Sequence, residues 1–259
     1  MEPALACIDG QLVPVSQAAI PVTDLGLVRG DGVFEVIRLY GGRPYALDAH
    51  LGRLERSAAG LRLPLDLAAV RADIAALMAG GDRGDELVRV IVTRGGRRIT
   101  LIEPMPALPA TLALAPVTYA PSHLMDDIKS LSYAANMLAS RLAREQGADE
   151  ALLVSPHGRV LECPTASFFL VRGEEIRTPP ICDHILDSIT RRAVLAITTV
   201  VEEPFSTSAL AGADEAFVAS SGHEITGVRS VGEHRYDAPG SRTRQLAALV
   251  RERILAELP

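Results

Sequence analysis

At 259 residues the chain is long enough for one large domain or two small ones with a sizeable core, which excludes a mini-protein scaffold. Its 48% hydrophobic and 22% charged residues exclude disorder of the whole chain. A net charge of −6, with no basic run long enough to track a phosphate backbone, argues against a nucleic-acid partner.

In chain order, Ala4 to Ile8, the Asp9-Gly10 turn and Gln11 to Val15 predict a β-hairpin, because the Asp-Gly pair tolerates positive φ. Phe34 to Tyr40, Gly41-Gly42 and Pro44 to Leu47 predict a second hairpin. From Asp48, read as an N-cap, Leu51, Leu54, Ala58 and Leu61 recur at helical spacing up to a stop at Leu63-Pro64. A helix over Asp66 to Met78 and strands over Glu86 to Thr93 and Thr111 to Val117 follow. Residues 118–128 come after a stretch carrying Pro104, Pro106, Pro109 and Pro116, show no sustained period and read as a linker. Beyond it, a helix is expected from Tyr133 to Gln146, ended by Gly147. Short strands are expected at Ala151 to Val154, Val160 to Cys163, Phe168 to Val171 and Glu175 to Thr178. A helix from Ser188 to Val200, strands near Ala216 to Ala219 and Ile225 to Val231, and a helix from Thr243 to Leu258 complete the chain. The class is α+β with two lobes.

Cys7, Cys163 and Cys182 are too few and too scattered for a disulfide framework and fit a reducing compartment, so the cytoplasm is expected. The opening MEPALACIDG lacks the basic and apolar parts of a secretion signal. Every apolar stretch is broken well before about 18 residues, so no membrane span is expected. His50, His123, His157, His184, His223 and His234 show no metal spacing such as H-x-x-x-H, and no metal ligands are assigned. Gly-x-Ser-x-Gly and the P-loop are both missing, and Gly30-Asp31-Gly32 is too short for a dinucleotide fingerprint.

Lys129 lies in a polar segment at the linker exit, directly before an apolar helix. A lysine there is either a solvated side chain or, where desolvated, a nucleophilic amine suited to Schiff-base chemistry. Glu162 interrupts the run VLECPTASFF and requires either water at a strand end or a cationic partner. Asp187-Ser188-Ile189-Thr190-Arg191 opens a helix, as ordinary capping or as an anion site. Ser220-Ser221-Gly222 is either a turn or a second anion-binding nest.

Four separated motifs give these residues an order. They are Arg29-Gly-Asp-Gly-Val-Phe-Glu35; His50-Leu-Gly-Arg53-Leu with Ser57-Ala58; Asp127-Ile-Lys129-Ser-Leu; and Glu162 with Thr165-Ala166-Ser167-Phe168, then Ile189-Thr190-Arg191. Together they resemble the fold-type IV family of pyridoxal-phosphate enzymes, from about Ile8 to about Val231. That family holds branched-chain aminotransferases, D-amino acid transaminases, R-selective amine transaminases and aminodeoxychorismate lyases. The resemblance implies a small α/β N-terminal domain over 1–117, a linker over 118–128 and a larger, strand-rich pseudobarrel domain over 129–259, with pyridoxal 5'-phosphate in the cleft between the lobes. It also implies a homodimer. By the same resemblance Lys129 forms the internal aldimine and shuttles the proton, Glu162 faces the pyridine nitrogen and Arg53 pairs with the phosphate. Ile189 and Thr190, the Thr190 hydroxyl, Ser220 and Ser221 complete the phosphate cradle. Tyr133 is either a donor to the ring oxygen or a core tyrosine. Ser167 and Ser132 stand where the family usually or often has Asn, and Ser188 where it usually has Gly.

The cofactor apparatus is shared across the family, so substrate class rests on other residues. A transaminase must bind the carboxylates of an amino acid and a keto acid, and arginine does so bidentately. Arg29 stands just before Gly-Asp-Gly, where many relatives carry an uncharged residue, and Thr93-Arg94-Gly95-Gly96-Arg97-Arg98 resembles the loop whose downstream arginine traps carboxylates in D-amino acid transaminases and the lyases. Arg29, Arg97 and Arg98 are therefore either substrate ligands or solvated loop charge. Transamination of a D-amino acid is the first expectation. Aminodeoxychorismate lyase, branched-chain aminotransferase and a non-catalytic pyridoxal-phosphate-binding protein follow as alternatives.

Overall fold

The computed structural model describes residues 5–80, 83–107 and 109–259. Ala4, the expected first residue of the opening hairpin, lies outside them. The chain forms two compact units, one of Met1–Pro106, Asp127–Tyr133 and Glu257–Pro259, the other of Ala107–Asp126 and Ala134–Ala256.

The first unit is built on β1 (Leu5–Ile8), β2 (Gln11–Pro14), α1 (Leu25–Arg29), β3 (Gly32–Tyr40), β4 (Arg43–Pro44), α2 (Leu47–Gly60), α3 (Leu67–Met78), β5 (Glu86–Thr93) and β6 (Arg98–Pro104). Its sheet has the order β2-β1-β6-β5-β3-β4. Asp9 and Gly10 take the positive φ values, 52° and 89°, that the first hairpin turn needs. Side chains alternate across a strand, so Val33, Ile37 and Leu39 of β3 and Val88, Val90 and Val92 of β5 share one face. That face packs with Leu51 and Leu54 of α2 and Val70 and Ile74 of α3 to form the core. Phe34, Val36, Arg89 and Ile91 stand on the other face.

The second unit contains β7 (Thr111–Thr118), α4 (Ala134–Glu145), β8 (Glu150–Val154), β9 (Ser167–Arg172), β10 (Glu175–Thr178), α5 (Ile189–Ile197), β11 (Val201–Glu202), β12 (Glu215–Ser220), β13 (Glu224–Val231), β14 (His234–Arg235) and α6 (Ser241–Ala256). Its sheet runs β11-β10-β9-β12-β13-β7-β8, with β14 paired to β13. Phe168, Leu170, Val218, Val228 and Leu114 fill the core on one side of this sheet. On the other, α4 lays Ala139 and Ala143 against Ala151 and Leu153 of β8, while α5 and α6 pack on β12.

Several details differ from the sequence expectations. The return strand of the second hairpin is short: after Arg43–Pro44 only Tyr45 N–H still reaches β3, at the Arg38 carbonyl (3.0 Å), before Ala46 at positive φ turns the chain into α2 at Leu47. Its N-cap is Ala46, at φ 51°, and Asp48 lies in the first turn, paired with Arg71. β6 was not expected, because basic residues at one end and Glu103-Pro104 at the other mask its alternation, yet it sits between β1 and β5. Val160 to Cys163 makes only isolated bridges and pairs irregularly with β8, Leu153 N–H reaching the Glu162 carbonyl at 2.8 Å. Thr111–Thr118, expected in the small domain, is a strand of the second sheet, between β13 and β8. Asp127–Tyr133, expected as the end of the linker and the start of the large domain, packs with the first unit. Among the described residues no helix is long and apolar enough to cross a membrane.

Candidate active site

The candidate groups fall into two sets, one in each unit. In the first unit the central group is Lys129, the only lysine of the chain. Residues 129–131 run antiparallel along the start of β3, ahead of the part of that strand paired with β4. Phe34 N–H donates to the Lys129 carbonyl at 3.0 Å, and Leu131 N–H to the Gly32 carbonyl at 2.8 Å. Val33 and Ser130 form the bridge between them. This register puts the lysine side chain on the Phe34 face, and its Nζ lies 4.4 Å from the Phe34 ring centroid and 5.8 Å from that of Tyr133. The two rings meet edge to face, 5.4 Å apart. Lys129 is half-buried, and its backbone N–H donates to Ser57 Oγ at 3.1 Å. The amine is thus held against aromatic faces by a fixed backbone. Tyr133 is also half-buried, which separates it from a core tyrosine.

Arg53 projects from α2 on the core face of the sheet. Its Nε and Nη2 donate to the two carboxylate oxygens of Glu35 at 2.6 and 2.7 Å, and His50 Nδ1 meets Glu35 Oε2 at 2.8 Å. All three side chains are buried. Burial alone would raise the Glu35 carboxyl, but the hydrogen bonds from Arg53 and His50 outweigh it and hold the pKa at about 2. Burial pushes His50 below its ordinary value. A carboxylate only accepts, so a neutral His50 carries its proton on Nδ1. The sequence reading missed the roles of Glu35, His50 and Ser57. Their signal was present: Glu35 occupies an inward position of a strand otherwise filled by Val33, Ile37 and Leu39.

The three arginines proposed for substrate binding are separated. Arg98 stands on the core face of β6, with Nε donating to the buried Asp73 carboxylate at 2.8 Å. This hydrogen bond raises the arginine pKa. Arg97 reaches Asp9 at 2.5 Å. Arg29 ends α1 and is exposed. The neighbouring Arg94 does a structural job, binding Asp31 and the Leu61 and Arg62 carbonyls and so tying the loop after α1 to the end of α2.

In the second unit, Glu162 Oε1 accepts the Leu186 N–H at 3.1 Å. Two residues later Ser188 caps α5, its Oγ accepting from Arg191 N–H at 3.3 Å. The first helical bond of α5 runs from Arg192 N–H to the Ser188 carbonyl, so the N–H groups of Ile189 and Thr190 precede the ladder, as at any helix N-terminus. Ser220 ends β12 and is buried, with Oγ accepting His223 N–H at 3.1 Å. Ser221 opens the turn into β13. At the same end of the sheet, Ser167 pairs in register with Ala219.

A phosphorylated pyridine aldehyde needs an amine, an anion cradle and a carboxylate for its ring nitrogen. The chain supplies each kind of group. Two observations fit a polar ligand in the second unit: Ser167 Oγ and His223 Nδ1 are buried side-chain atoms without a hydrogen-bond partner among the described residues.

The sequence matches the family described as amino-transferase class IV over residues 32–231. A Methanocaldococcus jannaschii protein assigned as a branched-chain-amino-acid aminotransferase is 32% identical over 246 residues, 85% of each chain. The D-alanine aminotransferase of Bacillus licheniformis is 29% identical, covering 96% of each. The PLP-bound form of a hypothetical aminotransferase from Mycobacterium tuberculosis superposes with a TM-score of 0.89 at 26% identity, covering 98% of this chain and 99% of that one. With the family match spanning most of the chain and the fold shared, this protein belongs to the class IV aminotransferases.

Proposed function

We propose that the chain moves an amino group between an amino acid, foremost a D-amino acid, and a 2-oxo acid, with pyridoxal 5'-phosphate as cofactor. The observation that carries this reading is Lys129, the sole lysine, pinned by its backbone along β3 with its amine over Phe34. When bound, the cofactor supplies an electron sink that makes the substrate Cα proton acidic. In this reading Lys129 Nζ would hold the cofactor between turnovers and, once free, would take the proton from Cα of the donor amino acid in one half-reaction and deliver one to Cα of the product amino acid in the other. The Phe34 and Tyr133 rings limit water around that amine. Glu162, oriented by the Leu186 N–H, holds the proton on the ring nitrogen. The Ile189 and Thr190 N–H groups, the Thr190 hydroxyl, Ser220 and Ser221 bind the phosphate, with Arg53, fixed by Glu35, as their cationic partner. Arg29 takes the substrate carboxylate: its side chain is exposed, whereas Arg98 is turned to the buried Asp73 on the core face and Arg97 is paired with Asp9. A homodimer, supported by exposed apolar side chains at Val22, Leu25, Leu27 and Val28, and a cytoplasmic location, in keeping with three cysteines outside any disulfide, complete the reading.

The same ion pairs favour a second reading. With two of three candidate arginines engaged, the carboxylate site leans less on arginine, as expected for a branched-chain aminotransferase. Mixing the yellow holoenzyme with D-alanine, or separately with L-leucine, without a keto acid decides between them. Bleaching of the visible band by D-alanine supports the first reading, and bleaching by L-leucine alone the second. If neither acts, and aminodeoxychorismate releases pyruvate without an acceptor, the chain is a lyase and the transaminase proposal fails.

A further inference from the structure

Sequence spacing gave no metal site, yet the second unit brings two histidines and an aspartate together from turns far apart in the chain. His123 opens a single turn of 3-10 helix that Asp126 follows, and His184 follows a second such turn at Ile181–Asp183. His184 Nδ1 lies 2.8 Å from Asp126 Oδ2, and His123 Nδ1 lies 3.9 Å from the same oxygen. The two imidazole rings stand edge to face with centroids 4.0 Å apart. One ligand atom from each residue lies within 4.8 Å of the other two. Ligand atoms about 2 Å from one tetrahedral ion stand about 3.3 Å apart, so the wider contacts of this set would close and the 2.8 Å contact would open on binding.

We propose that His123, Asp126 and His184 form a binding site for a divalent transition metal of the zinc class. Two imidazoles and one carboxylate suit zinc, cobalt or nickel and disfavour calcium and magnesium, which take oxygen ligands. Three protein ligands leave at least one coordination position for water, and the exposure of His123 and Asp126 makes the ion exchangeable. For the ion to bind His184 Nδ1, that nitrogen gives up its contact with Asp126 Oδ2, and the neutral imidazole carries its proton on Nε2. The ion would also fix a segment the proposed active site uses, because Leu186, two residues beyond His184, holds Glu162 through its N–H. The metal site itself does not depend on the proposed reaction.

The test is titration of chelator-treated holoenzyme with cobalt(II), followed by its visible absorption, and with zinc by calorimetry. The expected result is saturable binding of about one ion per chain, weakened at least about tenfold in each of His123→Gln, Asp126→Asn and His184→Gln. Cys182→Ser, which removes the exposed thiol nearby in sequence, should bind as the parent does. No saturable binding at millimolar metal, unchanged affinity in the three ligand variants, or loss of binding in Cys182→Ser would each overturn the assignment.

Discussion

Glu35 and Arg53 meet in a bidentate ion pair, at 2.6 and 2.7 Å, with the Glu35 side chain fully out of water. Its carboxyl is held at about 2 in the folded protein, below the 4.5 expected when exposed. A depressed carboxyl stabilises the fold above its unfolded pKa and loses that contribution as pH falls through the folded one. Stability should therefore drop by about 3 kcal/mol between pH 4.5 and pH 2 on account of this group alone. Urea unfolding across that range measures it. Glu35→Gln should flatten the acid limb, and an unchanged limb in that variant would reject the pair as its source.

Arg98 and Arg29 should separate structure from substrate binding. Arg98→Ala leaves the Asp73 carboxylate buried without its cation and should destabilise by roughly 3 kcal/mol, with Michaelis constants little changed. Arg29→Ala removes an exposed side chain, so the melting temperature should hold while the Michaelis constants for amino and keto acids rise about tenfold or more. Steady-state kinetics beside thermal melts would reveal the reverse pattern if Arg98 were the carboxylate ligand.

Much of this was legible in the sequence because local signals were strong. Glu86–Thr93 and Glu175–Thr178 appear as strands with the expected bounds, and Ser188 caps α5 as its hydroxyl allows. The arginine partners were not legible. Asp9 and Asp73 stand 88 and 25 residues from the arginines they bind, and only strand register shows that Arg98 faces the core. The sequence puts the lysine beside a second-half helix, whereas its carbonyl accepts from Phe34 of β3, 95 residues earlier in the chain, and its N–H donates to Ser57 of α2. Glu35 could have been singled out, since a carboxylate in an apolar inward stripe requires a buried cation.

Glu162→Gln keeps an acceptor for the Leu186 N–H but removes the negative charge. The variant should fold and bind cofactor while its kcat falls by about 10² or more. Wild-type kcat would show that Glu162 does not face the ring nitrogen.

Gly32 is required by close approach. A Cβ there would stand 2.6 Å from both Leu131 Cδ1 and the Val92 carbonyl oxygen; the leucine side chain can turn aside, but the carbonyl is backbone, so the start of β3 that carries the 129–131 segment would have to shift against β5. Gly32→Ala should shift the lysine amine and lower kcat by about 10² with cofactor still attached. Full activity in this variant would mean that the β3 edge does not position Lys129.

The central claim is that Lys129 carries the cofactor, and reduction of the yellow holoenzyme with borohydride followed by peptide mass spectrometry tests it most directly. The chain has no other ε-amine, so the pyridoxyl group should appear on the peptide containing Lys129, and Lys129→Ala should lose both the adduct and the visible band. An adduct found only at the N-terminal amine, or a visible band that persists in Lys129→Ala, would contradict it.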